Sequence, residues 1–242
     1  MRPVSTSYSR PEPSLFRQIQ LKSSSVLTYK PEPQNSHLKS AIFECILSRQ
    51  MKIIIEPHNA SWVDEFNRIE LGLRRILADI PILSIEHVGS TSIPGLVAKP
   101  VLDIDIIVTS ENVHGASAAL TKAGYIACGD QGVSFRFAFT QPKNPNCPQG
   151  DGLSQIRGEM KRNTYIVVDG CIALRNHLDL KNMLLEHKEL RHEYGDVKMK
   201  LVNSDMDSMD EYCRGKSDVV LKILEKAGWN EQDLNEVRMA NS

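Results

Sequence analysis

The chain has no cysteine pattern that would organise a fold. Its five cysteines (Cys45, Cys128, Cys147, Cys171 and Cys213) are odd in number and never spaced Cys-x-x-Cys. That excludes a disulfide framework or a tetrahedral zinc site and suits a reducing compartment. No apolar run approaches the ~20 residues needed to cross a bilayer, and no apolar core of roughly 7–15 residues marks a secretory signal. Charge of one sign is also missing: 29 Lys and Arg stand against 30 Asp and Glu. No whole-protein basic field therefore advertises nucleic acid or membrane as a partner. There is no internal repeat. No Gly-x-x-x-x-Gly-Lys-Ser/Thr occurs, which excludes a P-loop kinase. A cytoplasmic protein is expected. The hydrophobic content of 41% in 242 residues suffices for one domain with a sizeable core plus a tail.

Residues 1–50 differ from the rest. Seven Lys or Arg stand against three Glu, among many Ser and Pro. A disordered tail is expected, with at most a short helix over Ala41–Leu47. The basic, Ser-containing bias also suits a mitochondrial transit peptide, but Pro11, Pro13, Pro31 and Pro33 break amphipathic helices. Met51 is an alternative start. The folded domain is expected over residues 51–231, with a short tail at 232–242.

Within the domain, Lys52–Ile55 reads as a short strand. Asn59 then caps a helix whose Trp62, Phe66, Ile69, Leu73, Ile76 and Leu77 recur at helical spacing. Ser84–Val88 reads as a strand. Glu111–Ala123 is a small-residue helix closed by Gly124. Tyr125–Cys128, Ser134–Thr140 and Asn163–Val168 read as strands, with a loop or lid from Gln141 to about Lys161. Leu174, Leu178 and Leu185 mark one helix, and Leu190, Tyr194, Val197 and Leu201 a second. Ser208 with Glu211 is a capping box opening a last helix that runs to Gly228. A mixed α/β (α+β) sheet domain with a helical C-terminal half is the expected architecture.

The chemistry concentrates between Glu86 and Val108. Gly89-Ser90 is a turn where backbone N–H groups can meet a phosphate. In the following strand Asp103 and Asp105 point the same way, ~7 Å apart along the chain, while Leu102, Ile104, Ile106 and Val108 fill the other face. Two like charges so placed call for a cation, and hard oxygen ligands suit Mg2+ or Mn2+. Phosphate, divalent ion and paired carboxylates are the working parts of phosphoryl or nucleotidyl transfer. A solvated sheet face explains the aspartates equally well on spacing alone.

Gly-Ser followed by Asp-x-Asp in an apolar strand resembles the nucleotidyltransferase superfamily, the polymerase-beta-like fold. More closely, the stretch from Glu86-His87-Val88-Gly89-Ser90 to Asp103 resembles the GrpB family. The resemblance extends from Lys52 to Trp229 through Ala60-Ser61-Trp62, Phe66, Arg175-Asn176-His177-Leu178, Tyr194, Lys198, Tyr212 and Lys216. It implies a nucleotidyltransferase-like core, with Asp103 and Asp105 as metal ligands and Gly89, Ser90 and Thr91 at the nucleotide phosphates. Lys99 would neutralise phosphate charge. A transferase of this class needs a third carboxylate on a neighbouring strand, for which Asp169 is the best placed by sequence. Many family members carry histidines on that strand, where this chain has Asn163, Thr164 and Ile166, and many keep only the first aspartate of the pair. The family motif Arg-His-Leu-x-Phe-Arg-Asp corresponds to Arg175, His177 and Lys181, which with Lys198 and Lys216 would hold an anionic ligand or acceptor. His87 sits at the site mouth or makes a local hydrogen bond.

Two functions follow from the resemblance. One is Mg-dependent transfer of a nucleotidyl group from an NTP to an unknown acceptor. The other is non-catalytic binding of a nucleotide or anion. In some bacterial chains the GrpB region is fused to dephospho-CoA kinase, which implies a protein partner in coenzyme A metabolism.

Overall fold

A computed structural model of the chain describes residues 53–142, 160–204 and 208–240. The expected tail over 1–50, with its Ala41–Leu47 helix, and most of the loop from Gln141 to Lys161 fall outside the described residues. Helix α1 (Ser61–Ile76) starts where Asn59 Oδ1 accepts from the Ser61 N–H at 3.0 Å and the Ser61 hydroxyl at 2.8 Å. Its stripe of Trp62, Phe66, Ile69 and Leu73 is buried. The expected strand at its N-terminal side is reduced to one bridge, Glu56 with Ala98.

Five strands form a mixed sheet: β1 (Ser84–Val88), β2 (Leu102–Val108), β3 (Ile126–Gly129), β4 (Arg136–Thr140) and β5 (Arg162–Val168), in the order β1-β2-β5-β4-β3. Only β2 and β5 run parallel, with Asp103 opposite Asn163 and Asp105 opposite Tyr165. A parallel pair cannot be joined by a tight turn. Helix α2 (Val113–Lys122) and the β3–β4 hairpin fill the crossover. β4 starts two residues later than its sequence suggests: Phe135 has a φ of 63° and a half-exposed side chain, though its carbonyl still accepts from the Val168 N–H at 3.0 Å.

The alternation in β2 divides the sheet chemically. Leu102, Ile104, Ile106 and Val108 are fully buried against α1 and α2, with Leu73, Ala116 and Leu120 in the same cluster. Burying each such side chain contributes ~1.5–3 kcal/mol. The opposite face carries Asp103, Asp105 and Ile107. It packs under α3 (Ile172–Glu186), whose Leu174 meets Ile107 and Val167.

The helical half continues with α4 (Lys188–Val202), α5 (Met209–Gly215), α6 (Ser217–Lys226) and α7 (Glu231–Ala240). Ser208 Oγ accepts from the Glu211 N–H at 3.1 Å, so the capping residue is where the sequence puts it. The helix it opens breaks at Lys216 instead of running to Gly228. The expected tail from 232 is largely α7, whose Leu234 and Val237 are buried with Trp229, Ile223 and Leu224. A ten-residue helix of mixed polarity carries little propensity signal of its own and forms by packing. Ile93 and Leu96, from the loop between β1 and β2, join this second core. That contact ties the Gly-Ser loop to the helices.

Candidate anion-binding site

Three parts converge at the N-terminal ends of the parallel strands: the turn after β1, the starts of β2 and β5, and the junction of α5 with α6. They enclose a cavity of about 410 Å3 lined by Lys99, Lys161, Lys198 and Lys216. That volume is in the usual range for small-molecule pockets. Ser90, Asp103 and Asn163 line it as well. The turn is fixed by Gly89, whose φ of 69° and lack of a side chain let the Asp103 carboxyl lie directly against its backbone. The Ser92 hydroxyl closes the turn by donating to the Gly89 carbonyl at 2.7 Å.

Asp103 Oδ1 accepts from the Asn163 amide at 2.8 Å. Burial pushes the Asp103 carboxyl above the usual carboxylate range, against the pull of Asn163 and of His177. Lys99 is held below its ordinary value by burial and by Lys161. Lys198 is only 2% exposed. Its ammonium donates to the Val97 carbonyl and lies 4.6 Å from the centre of the Tyr194 ring. Burial, with Lys216 alongside, pulls it down to about 7. Lys216 Nζ lies 4.6 Å from the centre of the Tyr212 ring.

Asp105 is separated from this cavity by its burial. It is fully buried, and its Oδ2 is 2.7 Å from His177 Nδ1. Burial pulls the imidazole down, but the charge and hydrogen bond of Asp105 outweigh it and leave His177 above its ordinary value. Asp105 Oδ1 finds no hydrogen-bond partner among the described residues.

Several expected site residues lie elsewhere. Asp169 follows the far end of β5, where its N–H donates to Val108, six residues beyond Asn163. At ~3.3 Å per residue it is roughly 20 Å from Asp103 and cannot serve as a third carboxylate. The strand positions opposite Asp103 and Asp105 are Asn163 and Tyr165. Thr91 is buried, its hydroxyl 3.0 Å from His87 Nε2 and 3.3 Å from the Val101 carbonyl it donates to. It braces the turn and is not among the residues that line the cavity. His87 stacks on Phe66 at 4.8 Å, so it makes the local bond and does not open on the cavity. Arg175 binds Asp233 at 2.8 Å and stacks 4.6 Å over Trp229, which holds it at the exposed surface over the second core and away from the cavity. His177 is engaged by Asp105. Lys181 donates to the His87 carbonyl at 2.8 Å. Of the expected anion ligands, Lys198 and Lys216 reach the cavity.

Lys161 is the cavity-lining cation that sequence reasoning missed. Its carbonyl accepts from the Leu102 N–H at 3.0 Å, so it precedes β5 as Lys99 and Pro100 precede β2. Two lysines just ahead of two parallel strands are neighbours, a signal readable only once the pairing is known.

The described residues do not assemble the expected paired-metal ligand set. Asp105 is closed off by His177, Asp169 is distant, and no cluster of three His, Cys, Asp or Glu suited to a metal exists among the described residues. One cavity-facing carboxylate and one orphan oxygen fall short of a two-ion set.

A mixed sheet with a Gly-Ser turn and an aspartate strand at the mouth of a lysine-lined cavity defines an α/β protein with a candidate anion site. The chain belongs to the GrpB family, whose sequence profile, described as GrpB protein, matches residues 52–226. It is 27% identical over 188 residues to the UPF0157 protein YqkA of Bacillus subtilis, which covers 77% of this chain and 50% of that protein, so the chain spans half of that relative's length. A UPF0157 protein of Streptomyces coelicolor is 30% identical over 185 residues, 74% of this chain and 86% of that one. The crystal structure of conserved protein GrpB from Enterococcus faecalis superposes with a TM-score of 0.58 and 27% identity, over 73% of this chain and all of that one. A Cid1 poly(U) polymerase bound to MgGTP reaches a TM-score of 0.35 with 14% identity, over 68% of this chain and 50% of that one. That overlap is too slight to inform function.

Proposed function

We propose that the protein binds the phosphate chain of a nucleotide, a nucleoside triphosphate before other anions, in the cavity in front of Asp103. The observation that carries this reading is the convergence of Lys99, Lys161, Lys198 and Lys216 on one small space that has Asp103 as its carboxylate. Four ammonium groups crowded together repel, and two of them are already depressed, Lys99 by burial and Lys161, Lys198 by burial and Lys216. Such an arrangement is relieved by a ligand bearing several negative charges. Ser90 and the backbone of the Gly89 turn add hydrogen-bond donors of the kind that hold phosphate oxygens.

Binding without transfer is the favoured form of this reading. The positions where a third carboxylate would activate an acceptor hydroxyl carry Asn163 and Tyr165, and Asp105 is occupied by His177. Transfer remains the second reading, favoured by the Gly89 turn packed on Asp103. Calorimetry with ATP, GTP, UTP and inorganic tripolyphosphate, each with and without Mg2+, tests both. Micromolar binding that survives removal of Mg2+ supports the binder. Binding that requires Mg2+ and is lost in Asp103→Asn restores the transferase. No binding of any triphosphate under either condition overturns both.

A further inference from the structure

Lys198 is the most enclosed charged group of the cavity and the hardest to explain as a simple phosphate ligand. A phosphate ligand is normally a solvated ammonium that can follow the anion. Lys198 is instead packed between the Val97 carbonyl and the Tyr194 ring, while still lining the cavity beside Lys216. Burial away from water and a neighbouring ammonium are the two devices that turn a lysine into a nucleophile, and Lys198 is almost wholly buried with Lys216 lining the same cavity. Tyr212 lines the same cavity, and burial holds its hydroxyl above the usual range, so it stays a proton donor at all ordinary pH values.

We propose that Lys198 is a reactive amine that condenses with the carbonyl carbon of a phosphorylated aldehyde or ketone, whose phosphate is held by Lys99, Lys161 and Lys216. The inference rests on the anion reading of the cavity and names a second substrate class for it. In the step, the Lys198 nitrogen lone pair adds to the carbonyl carbon while the carbonyl oxygen takes a proton from Tyr212. The nitrogen then returns a proton to the Tyr212 oxygen. Loss of the hydroxyl with the remaining nitrogen-bound hydrogen releases one water and leaves the imine. No oxidant, reductant or metal is consumed. The low proton affinity of Lys198 supplies free amine near neutral pH, where an ordinary lysine is almost wholly protonated.

Pyridoxal 5′-phosphate, which carries both an aldehyde and a phosphate, is the probe. The full chain is incubated with it at neutral pH, reduced with borohydride to fix any imine, and mapped by peptide mass spectrometry. The expected result is an adduct concentrated on Lys198, with Lys99, Lys161 and Lys216 modified far less because they hold the phosphate of the probe. Excess tripolyphosphate should suppress it. Lys198→Arg should abolish the adduct, because a guanidinium forms no imine under these conditions. Lys198→Met, with its fold checked by circular dichroism, should lack the adduct too. Labelling spread evenly over the lysines, an adduct that tripolyphosphate fails to suppress, or an unmodified Lys198 would overturn the proposal. If tripolyphosphate binds and Lys198 stays unmodified, the anion reading stands and the amine chemistry falls. If tripolyphosphate does not bind, both fall.

Discussion

Gly89 and Asp103 share one small space: a Cβ on Gly89 would lie 2.9 Å from Asp103 Cγ and closer still to its Oδ2. The absence of a side chain at one position therefore sets where the carboxylate of the other can rest. Gly89→Ala is expected to cost about 2 kcal/mol or more, from the clash together with the strain of a φ of 69°. It should also lower triphosphate affinity by displacing the backbone N–H groups of the Gly89 turn. Gly95→Ala provides the control, because its φ of 78° is strained as well while nothing lies within 4 Å of the added Cβ. Urea unfolding of the two variants should separate clash from strain, with Gly95→Ala costing only about 1 kcal/mol.

The assignment of cations can be checked by charge removal. Lys216→Met is expected to weaken tripolyphosphate binding about tenfold, the loss of one charge-assisted contact. Arg175→Ala should leave that affinity unchanged while lowering stability, since its partners are Asp233 and Trp229. Equal losses of affinity in the two variants would place the anion elsewhere.

The Asp105–His177 pair should behave as a buried structural unit. Asp105→Asn is expected to destabilise the fold by about 3 kcal/mol, because it leaves His177 without its charge partner. His177→Gln should cost less in the Asp105→Asn background than in wild type, which a double-mutant cycle by denaturant unfolding reads directly. Additive losses would mean the two groups act independently.

His87 gives a pH signature. Burial, helped by Lys181 and His58, pulls its pKa from 6.5 to about 4. The unfolded chain then binds the extra proton first, so the stabilisation is fully present above pH 6.5 and is lost as pH falls towards 4. The loss attributable to His87 is about 3 kcal/mol. His87→Gln should be less stable at neutral pH but flatter across that window. Parallel pH–stability curves for the two proteins would refute the assignment.

The sheet was largely legible because one alternating run, Leu102 to Val108, contains both a complete apolar face and the aspartates. A period of two needs no knowledge of neighbours. The Gly89 turn was legible for the same local reason. Asp169, Arg175, Thr91 and Lys161 were not, since each depends on which segments meet in space. Asp169 ends the correct strand, yet the parallel pairing with β2 puts it at the wrong end. Arg175 has the right chemistry for a phosphate, but α7, which the sequence concealed as a tail, claims it. The break at Lys216 lies beside Gly215, where a Cβ would lie 3.1 Å from Leu201 Cδ1 and closer to Cδ2. Close helix contact of that kind leaves no trace in the local pattern.

The parallel pairing of β2 with β5 also orders events in the life of the chain. Asp103 and the Asn163 that holds it are 60 residues apart, and Lys198 and Lys216 emerge from the ribosome later still. A partly synthesised chain can build β1 and β2 but owns no binding cavity, so a ligand offers it no help in folding. Occupancy can stabilise only the finished molecule. A proteolytic fragment ending before Lys216, however much of the sheet it retains, would gain no protection from tripolyphosphate.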